Sequence, residues 1–222
     1  MEMSAGFSKG FKEVQDKVLA MGDMVAKEIT KSIEALKTRD LKMAHRIIAD
    51  DAKIDDMRFA IEGSCIELMG MPKLTICDRR VIVSVLSIST ELERIGDYAE
   101  GNAKIVVMIG DEPPLKPLID IPRMAEITVE MIDKSLKSFV DRNVELAKHV
   151  VTMDTSVDGL YDQVFRELLT FMMIDPKTIN RATRLIWVAH NLERAADRVT
   201  NICERVVFTV TGKMEDLEVS KY

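Results

Sequence analysis

Four pairs of carboxylates, each pair four residues apart, are the side chains of this chain best suited to chemistry. Asp51 with Asp55 and Glu93 with Asp97 lie in the first half. Asp154 with Asp158 and Glu193 with Asp197 lie in the second, displaced by 103 and 100 positions. On a helix, residues four apart project from one face with Cβ atoms roughly 5–6 Å apart. Two oxygen ligands at that spacing can reach one metal ion or a small cluster. The same spacing sets like charges side by side, which weakens a helix unless a cation offsets them. An arrangement that costs stability and recurs at matching places in both halves calls for a function, and cation binding is the chemistry it suits. All-oxygen ligands favour Mg, Ca, Mn and Fe over softer metals.

The repeat extends beyond the acids. Ser32 to Ala44 overlays Ser135 to Ala147 at an offset of 103, and the same register carries Ile47 to Val150 and Ile54 to Val157. Further along, Leu92-Glu93-Arg94 recurs as Leu192-Glu193-Arg194, and Pro72 and Pro176 both fall between the acidic segments. The shorter second offset places a three-residue deletion in that turn. Internal duplication decides architecture: the chain is two copies of a unit of about a hundred residues, 1–110 and 123–222, joined by a proline-rich linker, 111–122, that holds Pro113, Pro114, Pro117 and Pro122.

These acids need helices to position them, and the composition supplies helices. At 222 residues, 47% hydrophobic and 31% charged, the chain can bury a sizeable core. Strand signals are weak and no proline interrupts a long periodic segment. The expectation is an all-α protein of two tandem three-helix bundles. Helices are predicted over about 8–38, 40–69, 77–109, 122–140, 142–174 and 175–211, with Asp175-Pro176 starting the last and Gly212 ending it. Val81, Val85, Ile88, Leu92, Ile95 and Ala99 give the third helix its apolar stripe. With Ile47 or Val150 as zero, the Asp pairs of the second helices fall at about 40° and 80°, flanking the core stripe. Glu93 and Asp97 stand roughly 120–160° from the stripe of their own helix, beside Gly96, as Glu193 and Asp197 stand beside Ala196. A site shared by the second and third helices therefore belongs on the outer face of each bundle.

Several classes are set aside. A net charge of −6 argues against a nucleic-acid binder. Three widely spaced cysteines (Cys65, Cys77, Cys203) suit a reducing cytosol. Met1 to Gly10 has no apolar signal core and no run approaches a membrane span, so a cytoplasmic protein is expected. His45 and His149 read as structural, the fifteen methionines mostly as core filler, and Trp187 as a packing anchor.

Leu92-Glu93-Arg94-Ile95-Gly96-Asp97-Tyr98-Ala99, its counterpart Asn191 to Val199, and the upstream Asp-x-x-x-Asp pairs resemble the PhoU family over nearly the whole chain. The resemblance implies two bundles that each bind a multinuclear metal cluster, often iron, with zinc, manganese and magnesium left open. Asp51, Asp55, Glu93 and Asp97 would serve the first site. Asp154, Asp158, Glu193 and Asp197, with Asn201, would serve the second. It also implies negative regulation of phosphate uptake and signalling. The partners would be the nucleotide-binding subunit of the phosphate ABC transporter and a phosphate-sensing histidine kinase. Membrane contact would come only through such partners, and a homo-oligomer is expected. The chain departs from the family where Gly101 and Thr90 stand in place of Asn201 and His190, which leaves Glu100 as an alternative first-site ligand and His190 as an extra candidate in the second.

The reading is of a docking protein without catalysis. The alternative is a di-iron or di-manganese carboxylate oxidase or metal-storage bundle, a class built on inward-facing Glu-x-x-His pairs that this chain lacks. A purely structural helical spacer would leave the duplicated acids without a purpose.

Overall fold

The structure, a computed structural model, describes residues 5–217. Residues 1–4 of the segment read as lacking a signal core, and residues 218–222 of the second repeat, lie outside the described residues. Six long helices form: α1 (Ala5–Thr38), α2 (Leu41–Met69), α3 (Ile76–Ile109), α4 (Asp120–Asp141), α5 (Val144–Ile174) and α6 (Ile179–Thr211). No strand occurs among the described residues, as the alternation-free sequence predicts.

Helix ends are written in local chemistry. The α1–α2 and α4–α5 turns are duplicates: Arg39 and Arg142 adopt left-handed φ of 59° and 52°, and the next residue caps the following helix. Asp40 accepts from the Met43 N–H at 2.9 Å, and Asn143 from the Leu146 N–H at 3.0 Å. Thr75 and Asp78 close a reciprocal capping box at the start of α3. Gly212 ends α6 with φ of 76°, a backbone conformation a side chain would oppose. Two boundaries differ from the sequence expectation. Asp175 caps a 3-10 turn, Pro176–Thr178, and α6 begins only at Ile179. The linker yields to α4 at Asp120, which puts Pro122 inside the first helical turn, where its missing N–H is harmless.

Within each repeat the three helices pack on one another, and the repeats then join through α3 against α6 and α1 against α4. The result is a front layer in the order α2, α3, α6, α5, with α1 and α4 behind it. The predicted stripe of α3 is buried from Val81 to Ala99, and one apolar core runs through both repeats. Across the α3–α6 seam, Thr209 Oγ1 donates to Ser84 Oγ at 2.7 Å and Asn191 Nδ2 to Asn102 Oδ1 at 3.0 Å. Rising numbers on α3 meet falling numbers on α6, so these two helices are antiparallel. The linker lies against the second repeat through an Arg184–Glu112 pair at 3.0 Å and a Lys116–Glu167 pair. The three cysteines are free, and burial pushes the Cys203 thiol up to about 12.

Candidate functional site

The acids of the first repeat come together because α2 and α3 run antiparallel at close range around Gly96. A Cβ on Gly96 would stand 3.0 Å from Ile54 Cδ1 and 3.8 Å from Asp51 Oδ1. The absent side chain at that position therefore lets α2 lie low enough to set its aspartates against α3. Asp51 then faces Asp97 and Glu100, and Glu93 faces Asp55. Burial, reinforced by Glu100, Asp97 and Asp55, raises the Asp51 carboxyl from its ordinary value to about 6. Burial first, then Asp97, raises Glu93. None of the five carboxylates is fully buried and none sits in the apolar core, in keeping with the outer-face geometry read from the helical angles. Glu100, open as an alternative ligand in the sequence, is part of this group and is held by Lys104 at 2.6 Å.

The second cluster is built the same way on α5 and α6. The Tyr161 and His190 rings stand 6.0 Å apart and set the register, which puts Asp158 opposite Glu193 and Asp154 opposite Asp197. Ala196, fully buried, takes the place of Gly96. Burial, then Asp197, raises the Glu193 carboxyl. Its Oε2 is buried without a hydrogen bond, with His190 Nδ1 at 3.6 Å as its nearest basic group. His190 thus does stand beside Glu193, whereas its counterpart Thr90 bonds its own helix through Leu86 O.

The arginine of each motif pairs with acids of its own helix, with both on α3 and with the aspartate on α6. Arg94 Nε is 3.5 Å from Glu93 Oε2, and its Nη1 is 3.3 Å from Asp97 Oδ2. Arg194 Nη1 donates to Asp97's counterpart, Asp197 Oδ2, at 2.6 Å. With the acids turned to these guanidiniums, no group of three or more carboxylates, imidazoles or thiols at metal-binding spacing occurs among the described residues. The residues nonetheless fit a hard cation in kind and in place: oxygen donors on facing helices, half-buried, mutually repelling, and with a buried carboxylate oxygen of Glu193 unbonded.

Asn201, which the resemblance put among the second-site ligands, bonds across the seam through its amide nitrogen. Its Nδ2 donates to Glu91 Oε2 on α3 at 3.3 Å, an oxygen that also receives Arg198 Nη1 at 3.4 Å. Gly101, its counterpart, has a packing reason of its own, since a Cβ there would stand 3.1 Å from Asn191 Nδ2. Sequence reasoning missed Glu91 and Tyr98 as bridging residues. Tyr98 lies within the recurring motif and Glu91 directly before it, but only the α3–α6 crossing gives them their partners. Trp187 is 50% exposed on α6 and is not the packing anchor expected of it. His45 and His149 are exposed on α2 and α5. Met21, Met124 and Met131 are core residues as expected, while Met173 is 82% exposed at the α5 end.

The PhoU domain model matches this chain twice, over residues 18–106 and 121–206. The chain is 37% identical over 212 residues to the phosphate-specific transport system accessory protein PhoU homolog of Clostridium acetobutylicum, covering 95% of this chain and 97% of that one. It is 38% identical over 186 residues to the protein of the same name from Aquifex aeolicus, covering 84% of each. The fold superposes on the crystal structure of the phosphate transport system regulatory protein PhoU from Streptococcus pneumoniae with a TM-score of 0.88 at 29% identity, over 95% of this chain and 99% of that one. PhoU from Pseudomonas aeruginosa matches with a TM-score of 0.88 at 30% identity, over 93% and 100%.

Proposed function

Because the chain belongs to the PhoU family, we propose that it regulates phosphate transport as a metal-dependent docking protein. The relatives named above are accessory and regulatory proteins of phosphate transport, and the regulatory role of this chain is drawn from that kinship. The observation that carries the metal half of the reading is the first acid cluster. Burial, with three neighbouring carboxylates adding to it, raises Asp51 to about 6, and a bound cation would relieve the repulsion among them. Asp51, Asp55, Glu93 and Asp97, with Glu100, would hold one cation group, and Asp154, Asp158, Glu193 and Asp197 the other. Of Asn201, only the Oδ1 is left to turn toward a cation while its Nδ2 is held by Glu91. Iron is the metal the family resemblance favours, with manganese, magnesium and zinc as competitors. When bound, the metal supplies charge neutralisation and a fixed spacing between facing helices. The chain's own carboxylates orient it on the front layer, open to a partner.

The partners proposed are the nucleotide-binding subunit of the phosphate ABC transporter and a phosphate-sensing histidine kinase. Contact with the membrane would come only through them, since no helix among the described residues is long and apolar enough to cross it. The exposed Trp187 and Met173 on the second repeat are the kind of side chains a protein partner or a second copy would cover. A carboxylate oxidase fits less well, because its acids would face the bundle core and these stand on the outer face. The test is deletion of the gene with phosphate plentiful. Uptake and stored polyphosphate should rise, and the wild-type chain, but not one with Asp51, Asp55, Asp154 and Asp158 changed to Ala, should restore control and retain the transporter subunit. Unchanged uptake and no retained transporter component would remove the regulatory assignment.

A further inference from the structure

We propose that Arg94 and Arg194 are the resident counter-cations of the two acid clusters, and that a metal ion binds by displacing them. The inference rests on the metal reading above and adds what the clusters hold when no metal is bound. In both repeats the arginine follows the glutamate directly and precedes the aspartate by three, which lays its guanidinium against the aspartate of the pair on its own helix and, in the first repeat, against the glutamate as well. Arg94 contacts Glu93 at 3.5 Å and Asp97 at 3.3 Å, and Arg194 contacts Asp197 at 2.6 Å. The oxygens taken up in this way, of Glu93 and Asp97 in the first cluster and of Asp197 in the second, are ones a metal would also draw on, so guanidinium and metal compete for them. This accounts for two findings at once. The acids are neighbours across facing helices, and yet they do not converge at metal-ligand spacing.

The guanidiniums are built to leave. Arg94 is 57% exposed and Arg194 39%, so each can swing toward water without unpacking the core. A compact divalent ion outcompetes a diffuse monovalent one for paired carboxylate oxygens. The two repeats differ in where the arginine goes. Arg194 has a second acceptor across the seam, the Tyr98 hydroxyl of α3. At the position on α6 corresponding to Tyr98 stands Arg198, which offers Arg94 no acceptor. Loading the second cluster therefore frees Arg194 from Asp197 and leaves it on Tyr98, whereas loading the first releases Arg94 to the surface. Each arginine lowers the affinity of its own cluster and so sets the metal concentration at which that cluster fills.

The experiment titrates chelator-stripped protein with Mn²⁺ by calorimetry, using the wild type, Arg94→Gln and Arg194→Gln. Arg166→Gln serves as a control, because it removes one exposed charge, paired with Asp162 on α5, without touching either acid pair or Tyr98. Each of the first two variants should bind Mn²⁺ about fivefold more tightly at one cluster, the size of a partly exposed ion pair, with the control within about twofold of wild type. In wild-type protein, labelling with an arginine-specific dicarbonyl reagent should rise several-fold at Arg94 when Mn²⁺ is added and stay constant at the exposed Arg79. Wild type that binds Mn²⁺ with unchanged Arg94 labelling, and with the affinity of both Gln variants, overturns this inference and leaves the metal reading standing. Absence of Mn²⁺ binding in every variant overturns both. Binding that appears only in the Gln variants supports the inference in its strongest form.

Discussion

Asn201 of α6 donates its Nδ2 to Glu91 Oε2 of α3 at 3.3 Å. The positions one hundred residues from each, Gly101 and Asn191, meet in turn across the same seam. The exchange of equivalent positions is the mark of a local two-fold relation between the repeats, with α3 and α6 crossing antiparallel near Gly96 and Ala196. It has a consequence for the site. Because α2 flanks α3 and α5 flanks α6 in one layer, the two acid clusters open on the same side of the molecule.

Their contact across the seam couples Glu91 and Asn201 energetically. A double-mutant cycle of Glu91→Ala and Asn201→Ala, followed by chemical denaturation, should return a coupling of about 1 kcal/mol. Glu91→Ala should be the costlier single change, since it also removes the carboxylate that Arg198 pairs with. Additive effects would mean the two residues do not touch in solution.

The two clusters should fill independently, because each repeat supplies its own carboxylates. Asp154→Ala with Glu193→Ala should halve the metal found by elemental analysis and leave the first cluster's contribution to melting intact. Metal at a hundred times its dissociation constant adds about 2.7 kcal/mol of stability. Loss of all metal from a folded double variant would show that ligands are shared between repeats.

Metal-free protein should lose stability as pH rises through the range set by Asp51. Its carboxyl is raised from 3.8 to about 6 in the fold, so the folded state holds more protons than the unfolded chain between those values. Stability therefore falls with rising pH across that window and is flat above it. Asp51→Asn should remove this slope and raise the melting temperature of the metal-free protein at neutral pH, while weakening metal binding. A melting temperature that climbs from pH 4 to 6 in wild type but not in the variant would contradict the sign.

Packing between the repeats can be tested at Gly22, where any Cβ would run into Leu136 of α4. Gly22→Leu should destabilise by about 1–3 kcal/mol through overpacking. Gly63→Ala, on the exposed face of α2 with nothing within 4 Å, should instead stabilise by about 0.5–1 kcal/mol. Equal effects in denaturation would show that α1 and α4 are not in close contact.

The sequence by itself determined the helices, the duplication and the four acid pairs. These are local properties: the heptad stripe from Val81 to Ala99, the turn at Arg39-Asp40 repeated at Arg142-Asn143, and Asp-x-x-x-Asp all act within a few turns of one helix, where spacing alone settles which residues share a face. Ideal helical angles were enough to put the acids outside the core. Only the tertiary structure decided what lies opposite each face. The α3–α6 crossing turned Asn201 toward Glu91 and gave Tyr98 to Arg194. It left Trp187 exposed and joined the two three-helix bundles along a shared core. Periodicity along a helix carries no record of which helix will pack beside it, because that is settled by the fit of whole surfaces, including the small residues Gly22 and Gly96 that let backbones approach.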